Sequence, residues 1–146
     1  MIYFDTSYLV RLYYADVGAD AVRALAATDH VASAAHGQAE MMAAFHRKLR
    51  EGAIRPAAYA ALLGQVRVHI EAGAFQWLAQ SGEILARIRS AYEKLPAAVF
   101  LRGADAIHLA TAAEAGFHII YSNDGHLLAA AKHFGIEGRN VIDQPK

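Results

Sequence analysis

Short apolar segments alternate with longer helical segments along the whole chain, and this alternation constrains the fold more than any other feature. The apolar segments have the length of buried strands, whereas the segments between them have the spacing and the end signals of helices. Strands that alternate with helices form parallel sheets with helices on both faces. The sequence therefore predicts one α/β domain over residues 1–146. The predicted strands are residues 2–4, 30–33, 74–78, 118–121 and 140–142, and the predicted helices are residues 7–14, 16–27, 35–51, 56–71, 82–95, 103–115 and 124–134.

Two of the predicted strands end shortly before an aspartate. Asp5 directly follows the run Ile-Tyr-Phe, and Asp124 follows the run Ile-Ile-Tyr-Ser-Asn and begins a predicted helix. In open α/β sheets, ligands bind beyond the carboxyl ends of the strands. The sequence therefore places both carboxylates at the edge of the sheet where a catalytic site is expected.

Two further acids stand in helical turns that are otherwise apolar. Glu40 is flanked by Ala39, Met41 and Met42, and Asp105 lies in the first turn of an almost entirely apolar helix. Isolated carboxylates are costly to bury unless they are paired or bound to a cation. If these acids converge with the two at the strand ends, a hard cation such as Mg²⁺ or Mn²⁺ would supply the counter-charge, and phosphate chemistry would follow.

Each acid also has a purely structural interpretation, and the residues alone leave both interpretations open. Asp5 and Asp124 can each cap the helix that follows, although Thr6 or Ser7 is an equally good cap for the first helix. Asp105 can favour the macrodipole at its helix N-terminus, and Glu40 can pair with a nearby Lys or Arg.

The composition excludes several classes of protein. The 14 Lys and Arg residues balance the 14 Asp and Glu residues, which is not the charge of a strong nucleic-acid binder. The absence of Cys excludes thiolate zinc sites and cysteine nucleophiles. No apolar run reaches the ~20 residues that span a bilayer, and no basic segment opens the chain, so we expect a soluble, cytoplasmic protein. One local basic cluster is either an RNA-steering patch or a solvated helix face: His46, Arg47, Lys48, Arg50 and Arg55.

Four stretches in a fixed order resemble the PIN-domain family, and more narrowly the VapC-type toxins of toxin–antitoxin pairs. These stretches are IYFDTSYLV at residues 2–10, SAAHGQAEMMAAF at residues 33–45, LRGADAIHLATA at residues 101–112 and IIYSNDGHLLAAA at residues 119–131. The resemblance implies a PIN-like three-layer fold with a five-stranded parallel sheet flanked by helices. It also implies a metal-dependent endoribonuclease that a VapB-type antitoxin silences, and a homodimer.

The resemblance also assigns roles to individual residues. It implies that Asp5, Asp105 and Asp124 hold Mg²⁺ or Mn²⁺, and that Glu40 completes this catalytic set and orients the attacking water. It places the hydroxyls of Ser7 and Ser122 as supports for a ligand carboxylate or for water. The alternative from another functional class is a catalytically inactive PIN-fold module that binds antitoxin or nucleic acid.

Several other residues near these motifs have open roles. Arg102, one turn before Asp105, is a candidate for pairing with a carboxylate or for contacting an RNA phosphate or the antitoxin. His108, one turn after Asp105, is either a functional group or a structural neighbour, and His126 is expected at the surface. The aromatic and apolar group Tyr8, Leu12, Tyr13 and Tyr14 is either core or a docking groove for an antitoxin segment.

Overall fold

The computed structural model describes residues 1–142 and contains one five-stranded parallel sheet. The strand order is β3-β2-β1-β4-β5, so the chain builds one side of the sheet outward from β1 and then crosses to the other side. This change of direction places a topological switch point between β1 and β4. The strands are β1 (Ile2–Phe4), β2 (Val31–Ala34), β3 (Phe75–Leu78), β4 (Ile119–Tyr121) and β5 (Glu137–Arg139).

Helices connect the strands and cover both faces of the sheet. Pro56 at the first turn of α4 and the side-chain cap of Ser81 on α5 are signals that the sequence carries for two of the helix starts. A 3₁₀ turn (Ala131–Phe134) follows the last helix directly. Within residues 1–142 the helices are α1 (Thr6–Tyr13), α2 (Ala19–Ala26), α3 (Gly37–Arg50), α4 (Pro56–Glu71), α5 (Gly82–Lys94), α6 (Gly103–Glu114) and α7 (Gly125–Ala130).

The apolar side chains form two core clusters, one on each face of the sheet. Successive residues of β1 point to opposite faces, so Tyr3 joins the cluster under α5, α6 and α7 while Phe4 joins the cluster under α1 to α4. Helix α6 has seven buried residues out of twelve, which explains why most of its sequence is apolar. Tyr8 is fully buried, and Leu12, Tyr13 and Tyr14 pack against the second cluster, so this group is core.

The pairing register brings the site residues to the same edge. Phe4 of β1 lies opposite Tyr121 of β4, and the Asp5 N–H donates to the Tyr121 carbonyl oxygen at 3.1 Å. The residues that follow β1 and β4 are therefore neighbours in space, although more than a hundred positions separate them in the sequence.

The predicted five-stranded parallel α/β fold is confirmed, but the predicted position of the last strand is wrong. The strand is β5 (Glu137–Arg139), a polar edge strand, rather than residues 140–142. The residues after it bind α1 through side chains instead: the Tyr8 hydroxyl donates to Asn140 Oδ1 at 2.7 Å and accepts from the Val141 N–H at 2.7 Å. Ile142 is buried in the second core cluster, so its apolar character reflects packing and not strand pairing.

Two predicted helix starts also differ from the structure. The first helix is capped by Asp5, whose carboxylate accepts the Tyr8 N–H, and not by Thr6 or Ser7. The second helix begins at Ala19 rather than at residue 16, because Gly18 adopts φ +80°, a left-handed conformation that an α-helix cannot continue through. None of the helices within residues 1–142 is long and apolar enough to cross a membrane.

Candidate functional site

A cleft of about 530 Å³ opens at the carboxyl edge of the sheet, beside the switch point between β1 and β4. A larger cavity, of about 730 Å³, lies between α5 and the 3₁₀ turn, but its charged groups include the Arg87–Glu114 ion pair and are not a set of converging acids. The four acids that the sequence predicts as site residues all line the cleft: Asp5, Glu40, Asp105 and Asp124.

Asp5 is the most deeply buried of the four acids, with 3% of its surface exposed. Its Oδ1 accepts the Ser7 hydroxyl at 2.6 Å and the Tyr8 N–H at 3.2 Å, and its Oδ2 accepts the Ser122 hydroxyl. Burial raises the pKa of this carboxyl, while the charge of His108 and the serine hydrogen bonds oppose that rise. The carboxylate is thus both a helix cap and a buried charge that favours a nearby cation.

Ser7 and Ser122 join Asp5 to the loop that carries Asp124. Besides donating to Asp5, the Ser7 hydroxyl accepts the Asn123 N–H at 2.9 Å, and the Ser122 hydroxyl accepts the Asp124 N–H at 2.9 Å. Each serine therefore uses its donor on the acid and an acceptor lone pair on the loop. This geometry fits the predicted supporting role of both serines, and their part in catalysis stays a prediction.

Arg102 bridges two of the acids. Its Nε donates to Asp105 Oδ2 at 3.0 Å, and one terminal nitrogen donates to Asp124 Oδ2 at 3.0 Å. Burial raises the pKa of Asp105 and the Asp124 charge adds to the rise, while Arg102 opposes it. The other oxygen of Asp124 accepts the His126 and Leu127 N–H groups and so caps α7. Arg102 thus neutralises part of the negative charge of the acidic cluster.

Glu40 pairs with histidines, so the alternative that it pairs with a nearby Lys or Arg is wrong. Three donors converge on its Oε1: Thr6 Oγ1 at 2.7 Å, His108 Nε2 at 3.0 Å and His36 Nε2 at 3.1 Å. Burial alone would raise the pKa of Glu40, but these hydrogen bonds together lower it far below its usual range. Glu40 therefore stays ionised at every pH at which the protein is expected to work.

Tyr3 of β1 contacts the ring nitrogen of His108 that does not bind Glu40. Its Nδ1 lies 3.0 Å from the Tyr3 hydroxyl oxygen, which also accepts the Ala34 N–H at 3.0 Å. Tyr3, Thr6 and His36 were not among the predicted site residues. The spacing of His36 and Glu40 by four helical positions was a usable signal. No signal in the sequence predicts the pairing of Tyr3 with His108, because these residues are far apart in the chain.

The outer part of the cleft is lined by basic side chains that already have partners. Arg47 pairs with Glu51 at 2.8 Å, and Lys48 lies 3.6 Å from Asp16 and 3.9 Å from the centre of the Tyr14 ring. Arg47 and Lys48 belong to the predicted basic cluster, and the structure places both on the rim of the cleft. His126 is exposed, as expected.

The donor set of the inner cleft fits a hard divalent cation. All four acids offer carboxylate oxygens, two of them have pKa values raised by burial, and Arg102 is the cation that bridges two of them. Oxygen ligands with an excess of negative charge are what Mg²⁺ and Mn²⁺ prefer.

Comparison with known protein families agrees with this geometry. A family model described as PIN domain matches residues 2–133, which include all four acids, the two serines that bind Asp5 and the two histidines that pair with Glu40. Comparison with curated proteins finds no match.

Proposed function

Because the chain belongs to the PIN domain family, which is generally a metal-dependent nuclease fold, we propose that it is an endoribonuclease that uses Mg²⁺ or Mn²⁺. The observation that carries this proposal is the convergence of Asp5, Glu40, Asp105 and Asp124 on one cleft at the carboxyl edge of the sheet. A structural cap or ion pair explains each acid singly, but not why all four share one cleft.

In this proposal, Asp5, Asp105 and Asp124 hold the cation, and Glu40 completes the set. When bound, the cation supplies Lewis-acid stabilisation of the phosphodiester and activation of water. The serines on Asp5 fix its two oxygens, so little reorganisation is needed when the charge develops. Glu40, held ionised through its Oε1, accepts a hydrogen bond from the attacking water and thereby orients it.

Arg102 has a second task in the same mechanism. Its side chain is 61% exposed, so the guanidinium can leave Asp105 and Asp124 without breaking any core packing. Once released, it offers a forked donor that matches the geometry of an RNA phosphate or of an antitoxin carboxylate. We assign Arg102 to substrate or antitoxin contact on this basis, and Arg47 and Lys48 to the RNA backbone at the rim.

The biological role that we propose is that of a cytoplasmic VapC-type toxin, partnered by a VapB-type antitoxin and assembled as a homodimer. The support for this role is the sequence resemblance together with the PIN domain match over residues 2–133. It is tested by controlled expression in a bacterial host: the wild type should arrest growth, Asp5→Asn should not, and the antitoxin expressed with the toxin should restore growth.

The nuclease activity is tested with purified chain, freed of any antitoxin, on a panel of labelled RNAs with Mg²⁺, Mn²⁺ or EDTA. Asp5→Asn removes a proposed cation ligand. Asp16→Asn is the matched control, because Asp16 lines the same cleft but pairs with Lys48 at its rim. We expect cation-dependent cleavage by the wild type and by Asp16→Asn, and none by Asp5→Asn. Equal cleavage by wild type and Asp5→Asn, or no cleavage of any RNA, would favour the binding-module alternative or another site.

A further inference from the structure

We propose that His36, Glu40 and His108 form a second metal site, which takes a borderline transition-metal cation such as Zn²⁺ or Co²⁺ rather than Mg²⁺. Each residue offers one ligand atom, and these atoms all lie within 4.8 Å of one another. The site shares Glu40 with the acidic cluster but adds two imidazoles to it. It goes beyond the proposed nuclease function and does not depend on it.

Two of the three separations between the ligand atoms match those of a coordination sphere, and the third lies within 4.8 Å. Glu40 Oε1 lies 3.0 Å from His108 Nε2 and 3.1 Å from His36 Nε2. Zinc–nitrogen and zinc–oxygen bonds of about 2.0–2.2 Å at angles of 90–110° give ligand separations of roughly 2.8–3.6 Å. The imidazole rings of His36 and His108 are neighbours, with their centroids 4.4 Å apart and their planes inclined at 47°. A cation could therefore replace the shared protons with little movement of the three side chains.

The partner of His108 Nδ1 can support the ring once a cation replaces the proton that Nε2 shares with Glu40. Metal-binding histidines usually donate their second ring N–H to an acceptor that fixes the ring. Here the Tyr3 hydroxyl lies 3.0 Å from Nδ1 and can accept that N–H when a cation takes the place of the proton on Nε2. Without a cation, Nε2 lies 3.0 Å from Glu40 Oε1 and 3.0 Å from Thr6 Oγ1.

The Nε2 atom of His36 is the one that would exchange its proton for a cation. Its Nε2 lies 3.0 Å from the Ala104 carbonyl oxygen as well as 3.1 Å from Glu40, so a single N–H serves two acceptors. Its Nδ1 is buried and has no partner within residues 1–142. The side chain keeps 22% of its surface exposed, which gives the cation a path from solvent.

The chemistry of the donors separates this site from the acidic cluster. Two imidazole nitrogens and one carboxylate oxygen suit Zn²⁺, Co²⁺ or Ni²⁺, whereas Mg²⁺ prefers oxygen alone. A cation in this site would bind Glu40, which also belongs to the acidic cluster. The structure therefore assigns Glu40 to two neighbouring sites with different metal preferences.

The test is a Co²⁺ titration of the tag-free, metal-free chain, followed by visible absorption and repeated with Zn²⁺ as competitor. We expect one equivalent of Co²⁺ to bind at the site that carries the two imidazoles, as reported by its visible absorption, and Zn²⁺ to displace it from there. His36→Ala removes a ligand that is not part of the core, so the fold should survive, and the affinity should fall by at least about tenfold. His46→Ala, an exposed histidine on the same helix, is the matched control and should bind as the wild type does.

Asp5→Asn distinguishes the two metal sites. Because Asp5 is not among the three ligands of this site, the variant should keep its Co²⁺ affinity while it loses any binding at the acidic cluster. Unchanged Co²⁺ affinity in His36→Ala, or lost affinity in Asp5→Asn, would overturn the proposal. Neither outcome depends on RNA cleavage, so the second site and the nuclease function can fail independently.

Discussion

Replacing Asp5 with Asn is expected to raise the thermal stability of the cation-free protein and to abolish its stabilisation by Mg²⁺ or Mn²⁺. Asp5 is 3% exposed, and burial raises the pKa of its carboxyl, so its ionised form costs free energy at neutral pH. Asn keeps the Oδ1 that accepts from Ser7 and Tyr8 but cannot accept from Ser122 at its amide nitrogen.

The two effects on the free energy of unfolding can be compared. The lost hydrogen bond to a charged group costs about 1.5–3 kcal/mol. The removed desolvation penalty of a buried ion returns several kcal/mol, so a net gain of about 1 kcal/mol is expected. For a chain of 146 residues this gain raises the Tm by roughly 2–4 °C. A cation at a hundred times its Kd adds about 2.7 kcal/mol to the wild type, or roughly 5–10 °C, and adds nothing to the variant.

The dependence on pH gives a further check on the same reasoning. The folded-state pKa of Asp5 lies above its ordinary value of 3.8, so the stability of its protonated form is present in acid and is lost as the pH rises through the folded pKa. The advantage of Asn is therefore largest at neutral pH and shrinks in acid. Thermal melts followed by circular dichroism, in EDTA and in MnCl₂, measure both effects. A lower Tm of the variant in EDTA, or an unchanged shift with Mn²⁺, would refute the reasoning.

Three further predictions follow from the contacts of the site and the fold. Arg102→Gln removes the cation that competes for Asp105 and Asp124, so calorimetry should show roughly three- to tenfold tighter Mn²⁺ binding; weaker binding would contradict this account. The pKa of Glu40 is lowered, so its ionised form adds stability above its ordinary value of 4.5 that is lost as the pH falls; denaturant melts of the wild type and Glu40→Gln should therefore differ at neutral pH and converge in acid. In Gly138→Val, the Cβ atom would lie 3.0 Å from a Cα of α7, so overpacking should cost about 1–3 kcal/mol and lower the Tm, and an unchanged Tm would show that β5 can move aside.

The fold could be predicted from the sequence because its signals are local. Buried parallel strands read as short apolar runs, and four of the five strands have such a run. The fifth strand, β5, has the sequence Glu-Gly-Arg with both charged side chains exposed, so its composition carries no strand signal. Residues 140–142, just after β5, are the predicted strand instead. The sequence alone does not show that these residues contact α1 and do not pair with a strand.

The acids of the site, the two serines and Arg102 could be predicted from the sequence, whereas the partners of Glu40 were not predicted. Asp5 and Asp124 follow strands, and the edge of a parallel sheet brings such positions together whatever their sequence separation. The pairing of Glu40 with His108 depends on how α3 packs against α6, which no spacing in the sequence expresses, whereas His36 lies four positions before Glu40 and could have been found. Hydrogen bonds from both histidines lower the pKa of Glu40.

The measurement that tests the central claim most directly is Mn²⁺ binding followed by electron paramagnetic resonance, on the wild type, Asp124→Asn and Asp20→Asn. Asp124 lines the cleft, whereas Asp20 is a fully exposed acid on α2 and serves as the control. The account predicts that wild type and Asp20→Asn bind Mn²⁺ alike and that Asp124→Asn binds at least about tenfold more weakly. Equal Mn²⁺ affinity in all three proteins would contradict the claim that the converging acids form a cation site.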